Sequence, residues 1–142
     1  MKFTLTIPGE PVAQGRPRFS TIHGVLRAYD PLKSREYKEY VKLLAMQQRG
    51  RKQPMEGPLS LSVRAYMGVP ASWTKKKRLD ALEGRLPHIV KPDLENICKG
   101  VTDALKGIVF IDDSQIVEHH QPFGKWYSDK PRVEIEIKEI EG

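Results

Sequence analysis

Asp93 and Glu95 stand two residues apart in the segment Lys91-Pro92-Asp93-Leu94-Glu95-Asn96-Ile97-Cys98-Lys99, and Asp112-Asp113 follows further along the chain. In extended backbone, residues i and i+2 project to one side, so both carboxylates can address one point where an extended stretch meets a helix start. A helix of about 12 residues from there rises about 18 Å. An extended return from Gly107 to Asp112 covers about 16–20 Å. If helix and return strand run antiparallel, Asp113 closes on Asp93 and Glu95. Three converging carboxylates repel one another unless a cation sits among them. No histidine or thiolate stands at matching spacing, so the donors are oxygens and the expected ion is Mg²⁺, with Mn²⁺ able to take its place. Such an ion suits phosphodiester hydrolysis, where it polarises the phosphate and lowers the pKa of an attacking water. Lys99, at i+4 from Glu95, can bring its ammonium to the same pocket and stabilise the charge that develops there. By residue type alone, the same acids also serve as caps and turns, and Asp103 can be the i,i+4 partner of Lys99.

Charge distribution points the same way. The 142 residues carry 24 Lys and Arg against 18 Asp and Glu, a net +6, which suits a polyanionic partner. Most of the acids fall after residue 92, while the basic residues dominate before it. Arg16, Arg18, Arg27 and the run Lys75-Lys76-Lys77-Arg78 are the candidate phosphate contacts. Four basic residues at a helix start oppose the helix dipole, a local cost that a grip on DNA explains. A solvated basic face is the plainer alternative. Trp73 and Tyr29 can stack on unpaired bases or fill a core or an interface. His23, His88, His119 and His120 show no metal-ligand spacing. The single cysteine, Cys98, excludes an internal disulfide and any cysteine zinc cage, and it reads as a packing residue.

The elements that must position these side chains follow from periodicity. Phe3, Leu5 and Ile7 alternate as a first strand ended by Pro8-Gly9. Residues 11–29 form a basic loop or irregular hairpin. Asp30-Pro31 starts a helix carrying Tyr37, Tyr40, Val41, Leu44, Ala45 and Gln48 at helical spacing. Leu59 to Met67 alternate as the clearest strand. Thr74 caps a short helix over Lys75–Leu82 that stops at Gly84, and a further helix spans about 94–106 with Ile97, Val101, Ala104 and Leu105 inward. Strands are expected at Ile108–Ile111, 115–121 and 132–140, the last two joined by a turn-rich PFGKWYSDKP. This order predicts one α+β domain over 1–142, a mainly antiparallel mixed sheet with helices packed on it. No stretch approaches 18 consecutive apolar residues and the start lacks the apolar block of a signal peptide, so no membrane partner and a cytoplasmic location are expected.

The motifs together resemble the RusA-type Holliday junction resolvases. The likeness rests on Lys91-Pro-Asp-Leu-Glu-Asn with Lys99, on Asp103-Ala-Leu, and on Asp112-Asp113-Ser-Gln-Ile. Gly15-Arg-Pro-Arg-Phe, Ser72-Trp-Thr-Lys-Lys-Lys-Arg and the late Lys-Pro-Arg-Val-Glu-Ile-Glu-Ile extend it over nearly the whole chain. The resemblance implies a RusA-like fold and a homodimeric, Mg²⁺-dependent endodeoxyribonuclease that nicks four-way and other branched DNA junctions symmetrically. It makes Asp93, the acid at position 95 and Asp113 the metal-binding catalytic carboxylates, with Lys99 as the catalytic lysine. One departure stands out: the family's usual Asp-Leu-Asp is Asp-Leu-Glu here, at Glu95. That puts in view an attenuated enzyme or a junction-binding protein that cuts weakly or not at all; a nuclease of the same chemistry that prefers flaps or forks is a separate alternative.

Overall fold

The computed structural model describes residues 1–15, 18–22, 24–29 and 32–140, with the side chains of 18–20, 22 and 25–29 outside that description. In chain order the elements are β1 (Lys2–Pro8), β2 (Arg18–Ile22), β3 (Val25–Tyr29), α1 (Leu32–Arg49), β4 (Leu59–Gly68), α2 (Lys75–Leu82) and α3 (Leu94–Leu105). A 3₁₀ turn at Asp113–Gln115 then leads into β5 (Ile116–His119), β6 (Gly124–Ser128) and β7 (Arg132–Glu139).

Strict alternation builds the sheet. β1 buries Phe3, Leu5 and Ile7, and β7 buries Val133, Ile135 and Ile137. The two pair antiparallel, with Leu5 opposite Ile135. β4 lies on the far side of β7, again antiparallel. Its other edge pairs in parallel first with β5 and then with β6. The sheet is therefore mixed, in the order β1-β7-β4-β5 with β6 also on β4, and β2–β3 is a separate antiparallel hairpin. With three helices, the fold is α+β, as the periodicity predicts.

β4 is buried on both sides. Leu59, Leu61, Val63, Ala65 and Met67 face the main core. Ser60 and Ser62 are buried as well, because the segment after β5 covers them. The Ser60 hydroxyl shares a 2.7 Å hydrogen bond with His120 Nδ1, and the Ser62 hydroxyl donates to the Pro122 carbonyl. These bonds offset the cost of burying hydroxyls.

Two helices complete the core. α1 buries Tyr37, Val41 and Ala45, spaced by four, and packs on α3 and β1. α3 buries Ile97, Val101, Ala104 and Leu105. Each fully buried aliphatic side chain stabilises by about 1.5–3 kcal/mol before ordering costs. Lys38 of α1 and Asp103 of α3 tie the helices across their polar margin, 3.6 Å apart.

Three expectations need correction. Ile108–Ile111 is not a strand. α3 ends in a tight reversal in which Gly107, at φ +82°, donates its N–H to Phe110 O (2.7 Å), while Val109 donates to Leu105 O (2.9 Å). The run is apolar because Ile108, Val109 and Phe110 are buried against the core. The segment read as turn contains β6, whose pairing is supplied entirely by β4. The strand expected over 115–121 is confined to Ile116–His119. Elsewhere the expected elements stand, and 11–29 holds the hairpin. Asp30-Pro31, expected to start α1, lies outside the described residues.

Candidate metal and nucleic-acid site

The approach to α3 sets the geometry of the acidic pair. Asp93 is the N-cap, with extended backbone (φ −78°, ψ 153°), and its carbonyl accepts the N–H of Ile97 at 3.2 Å. Its carboxylate makes no capping hydrogen bond. Glu95 sits in the first turn, and both side chains are exposed. Negative charge is favoured at a helix N-terminus. An N-cap Asp ordinarily spends its oxygens on the backbone, so Asp93 is held in place with its carboxylate unspent.

The segment before Asp93 is clamped from the sheet. Lys125 of β6 donates to the carbonyls of Val90 (2.7 Å) and Pro92 (2.9 Å). The loop after β1 crosses α3 on its other side, where Gln14 donates its N–H to Asn96 O at 3.0 Å. The loop packs closely on the helix at Gly100, where a Cβ would meet Gln14 N at an ordinary contact distance of 3.4 Å. The chain is thus delivered to Gly15 beside the N-terminal half of α3, just before Arg16. Arg16, Arg18, Arg27, Tyr29 and His23 themselves fall outside the described side chains.

Lys99 is exposed on the same helix, one turn beyond Glu95. Asp103, its candidate i,i+4 partner, pairs with Lys38 instead. Among the described residues the Lys99 ammonium has no ion-pair or hydrogen-bond partner. Cys98, beside it, is half-buried, and burial together with the Glu95 charge pushes its thiol up to about 12. It stays a neutral thiol rather than a nucleophile.

The paired aspartates divide their labour at the other end of α3. Asp112 caps the 3₁₀ turn, accepts from the N–H and hydroxyl of Ser114, and lies 2.9 Å from the Lys106 ammonium. Those contacts, the Ser114 hydroxyl first and Lys106 next, hold its carboxyl down at about 2. Gln115 anchors the turn by donating to Met55 O and Gly57 O, both at 3.0 Å. Asp113 is exposed; its backbone carbonyl accepts the Ile116 N–H that closes the turn, and its carboxylate adds to the negative charge facing Lys106.

The return strand that would carry Asp113 back to Asp93 is not formed. The pair Asp93–Glu95 opens α3, and Asp113 follows the reversal that closes it; a 12-residue helix spans about 18 Å. Among the described residues no group of three or more His, Cys, Asp or Glu side chains is gathered to hold a metal ion. The donor chemistry of the pair nonetheless fits Mg²⁺. That ion is commonly held by one or two carboxylates with waters and substrate phosphates completing its shell, and Asp93 and Glu95 supply two exposed carboxylates with no hydrogen-bond or ion-pair partner among the described residues.

The basic run opens α2 just after Trp73, which shares a cleft with Pro92, the residue before Asp93. Thr74 caps α2, accepting from the Lys77 N–H at 3.2 Å, and Lys75, Lys76 and Lys77 are exposed in its first turn while Arg78 is half-buried. Lys77 sits 4.1 Å over the Trp73 ring. Trp73 meets Tyr127 edge-on at 5.3 Å, and Tyr127 meets His88 at 4.8 Å. The other described histidines have structural partners: His119 stacks on Phe123, and His120 bridges Ser60 and Glu136. Lys125 and Tyr127 escaped the sequence reading because their segment reads as turn. The signal was there in Lys125, Trp126 and Tyr127 as a short alternation.

Comparison with known proteins adds two findings. The family model of endodeoxyribonuclease RusA matches residues 8–138, a span that includes Asp93, Glu95, Lys99, Asp113 and the basic run. The uncharacterized protein YqaN of Bacillus subtilis (strain 168) is 44% identical over 137 residues, covering 95% of this chain and 94% of YqaN.

Proposed function

Because the chain belongs to the RusA endodeoxyribonuclease family, whose members cut and bind branched DNA with a divalent metal, we propose that it is a Mg²⁺-dependent endonuclease that resolves Holliday junctions by paired symmetrical nicks. The observation that carries this reading is the exposed acidic pair Asp93–Glu95 with Lys99 one turn on, all three without ion-pair partners among the described residues and inside the family match. Asp93 and Glu95 would hold the ion. A bound Mg²⁺ supplies polarisation of the phosphate and a lowered water pKa. Lys99 offers its ammonium to the charge that builds on the phosphate oxygens as water adds and the bond to the departing strand end breaks. Lys125 fixes the backbone from which Asp93 projects. Lys75, Lys76, Lys77, Arg78 and the segment carrying Arg16, Arg18 and Arg27 would hold the DNA backbone.

A homodimer is part of the proposal. A four-way junction presents two equivalent strands, and an isologous dimer offers two equivalent sites. The separation of the α3 ends adds a reason. A two-fold axis setting two α3 helices antiparallel brings the Asp113 end of one copy to the Asp93 end of the other.

A second reading, junction binding with little cutting, draws on Glu95, one methylene longer than the family's usual aspartate. One experiment separates the two. A labelled four-way junction and a matched linear duplex are incubated with wild type and Asp113→Asn, in Mg²⁺ or EDTA, alongside a binding gel. Paired nicks on the junction alone, lost in EDTA and in Asp113→Asn while binding persists, support the resolvase. Tight binding without cutting in Mg²⁺ or Mn²⁺ overturns it.

A further inference from the structure

Between the loop that leads into α2, the loop after β1 and the approach to α3 lies an open cleft of about 500 Å³, whose lining includes Lys33, Trp73, His88, Lys91, Pro92 and Tyr127. Its size falls within the range of about 300–1,000 Å³ usual for small-ligand sites. Resting on the endonuclease reading, we propose that this cleft receives one unpaired nucleotide of the strand being cut, its base against Trp73 and Tyr127 and its phosphate at Lys33 and Lys91.

Four observations lead there. The wall is an aromatic row, Trp73–Tyr127–His88, with centroids 5.3 and 4.8 Å apart, and aromatic surface takes any base by its π-face. The rim is cationic: Lys33 and Lys91 line it, and Lys77 stands over Trp73. Glu10, the carboxylate in the lining, accepts the Gly68 N–H at 3.0 and 3.2 Å and keeps its charge, against which the lining sets two lysines. His88 is 8% exposed and its Nδ1 has no hydrogen-bond partner among the described residues. Burial and the nearby Lys125 push its imidazole downward, so at neutral pH it offers a donor and an acceptor rather than a charge. That is the chemistry of a partner for a base edge.

The place of the cleft selects the occupant. Pro92 in its lining immediately precedes Asp93, so a nucleotide seated here hands its phosphodiester to the acidic pair. Stacked duplex bases cannot enter a single-nucleotide recess, whereas a branch point supplies bases whose stacking is already broken. The cleft would thereby favour branched over linear DNA.

The test replaces single nucleotides around the branch point by abasic residues and measures junction Kd in EDTA for wild type, Trp73→Ala and Trp73→Phe. Wild type should lose about tenfold in affinity at one position flanking the cut phosphate. That penalty should fall below about twofold in Trp73→Ala and persist in Trp73→Phe, a coupling between side chain and base. Lys33→Gln, a change at an exposed side chain, carries the test if Trp73→Ala does not fold. A neutral methylphosphonate at the same position should weaken wild type about threefold and leave Lys33→Gln unaffected. Tight binding and cutting of the junction with no position-specific penalty, or with penalties unchanged in the variants, overturns the subsite alone. Absence of junction binding and cutting overturns the endonuclease reading with it.

Discussion

Lys125 donates to the carbonyl of Pro92 at 2.9 Å, one residue before Asp93, and with its second bond to Val90 it pins the extended approach to α3 onto the sheet. The carboxylate of Asp93 is thereby aimed by a cation that never touches it. Groups that orient metal-binding side chains from behind commonly carry about 10–100-fold in affinity or activity.

Lys125→Met should therefore raise the Mg²⁺ concentration needed for half-maximal cleavage by about tenfold, with Lys125→Arg recovering part of the loss. Cleavage titrated against Mg²⁺, alongside a thermal melt of each variant, checks this. An equal fall in rate at every Mg²⁺ concentration would argue against a positioning role.

Glu95→Asp shortens the donor by one methylene and makes the pair two aspartates. It should lower the Mg²⁺ requirement and raise the cleavage rate, while Asp93→Asn and Glu95→Gln should cut at least about 100-fold more slowly with junction binding kept. Single-turnover cleavage with a parallel binding gel reads both.

Asp112 gives a pH signature. Its carboxyl is held at about 2 against an ordinary 3.8, chiefly by Ser114 and Lys106, so the folded form favours the charged acid. A depressed carboxyl contributes stability above its unfolded pKa and loses it as pH falls through the folded one. The Tm gap between wild type and Asp112→Asn should be full at pH 5 and above and close between about pH 4 and pH 2. Because the ion pair is exposed, added salt should narrow the gap as well.

Lys75 and Lys76, exposed at the start of α2, are expected to neutralise phosphates. Replacing both with Gln should reduce the slope of log Kd against log salt by about 1.8, the value for two phosphate contacts, on junction and duplex alike. It should also relieve their opposition to the α2 dipole, so the variant should melt no lower than wild type. Binding measured across a salt series, with a melt, tests both parts.

The sequence by itself determined the alternating strands β1, β4 and β7, the helix α2 with its Thr74 cap, the helix α3 with its inward stripe, and the carboxylate pair at the start of α3. Each of these is written in local periodicity, in cap residues or in side-chain type, and none needs a distant partner to be recognised. Tertiary structure decided the rest. Ile108–Phe110 has the composition of a strand, yet the core takes it as a plug, because burial selects apolar residues whatever their backbone geometry. Gly124–Ser128 has the composition of a turn, yet β4 offers it an open edge and makes it a strand. Asp103 chose Lys38 on a neighbouring helix over Lys99 on its own, which left Lys99 without an ion-pair partner among the described residues. The reversal after α3 kept Asp113 with the end of the helix opposite Asp93, because distance along a chain fixes separation only once the direction of the return is set by packing.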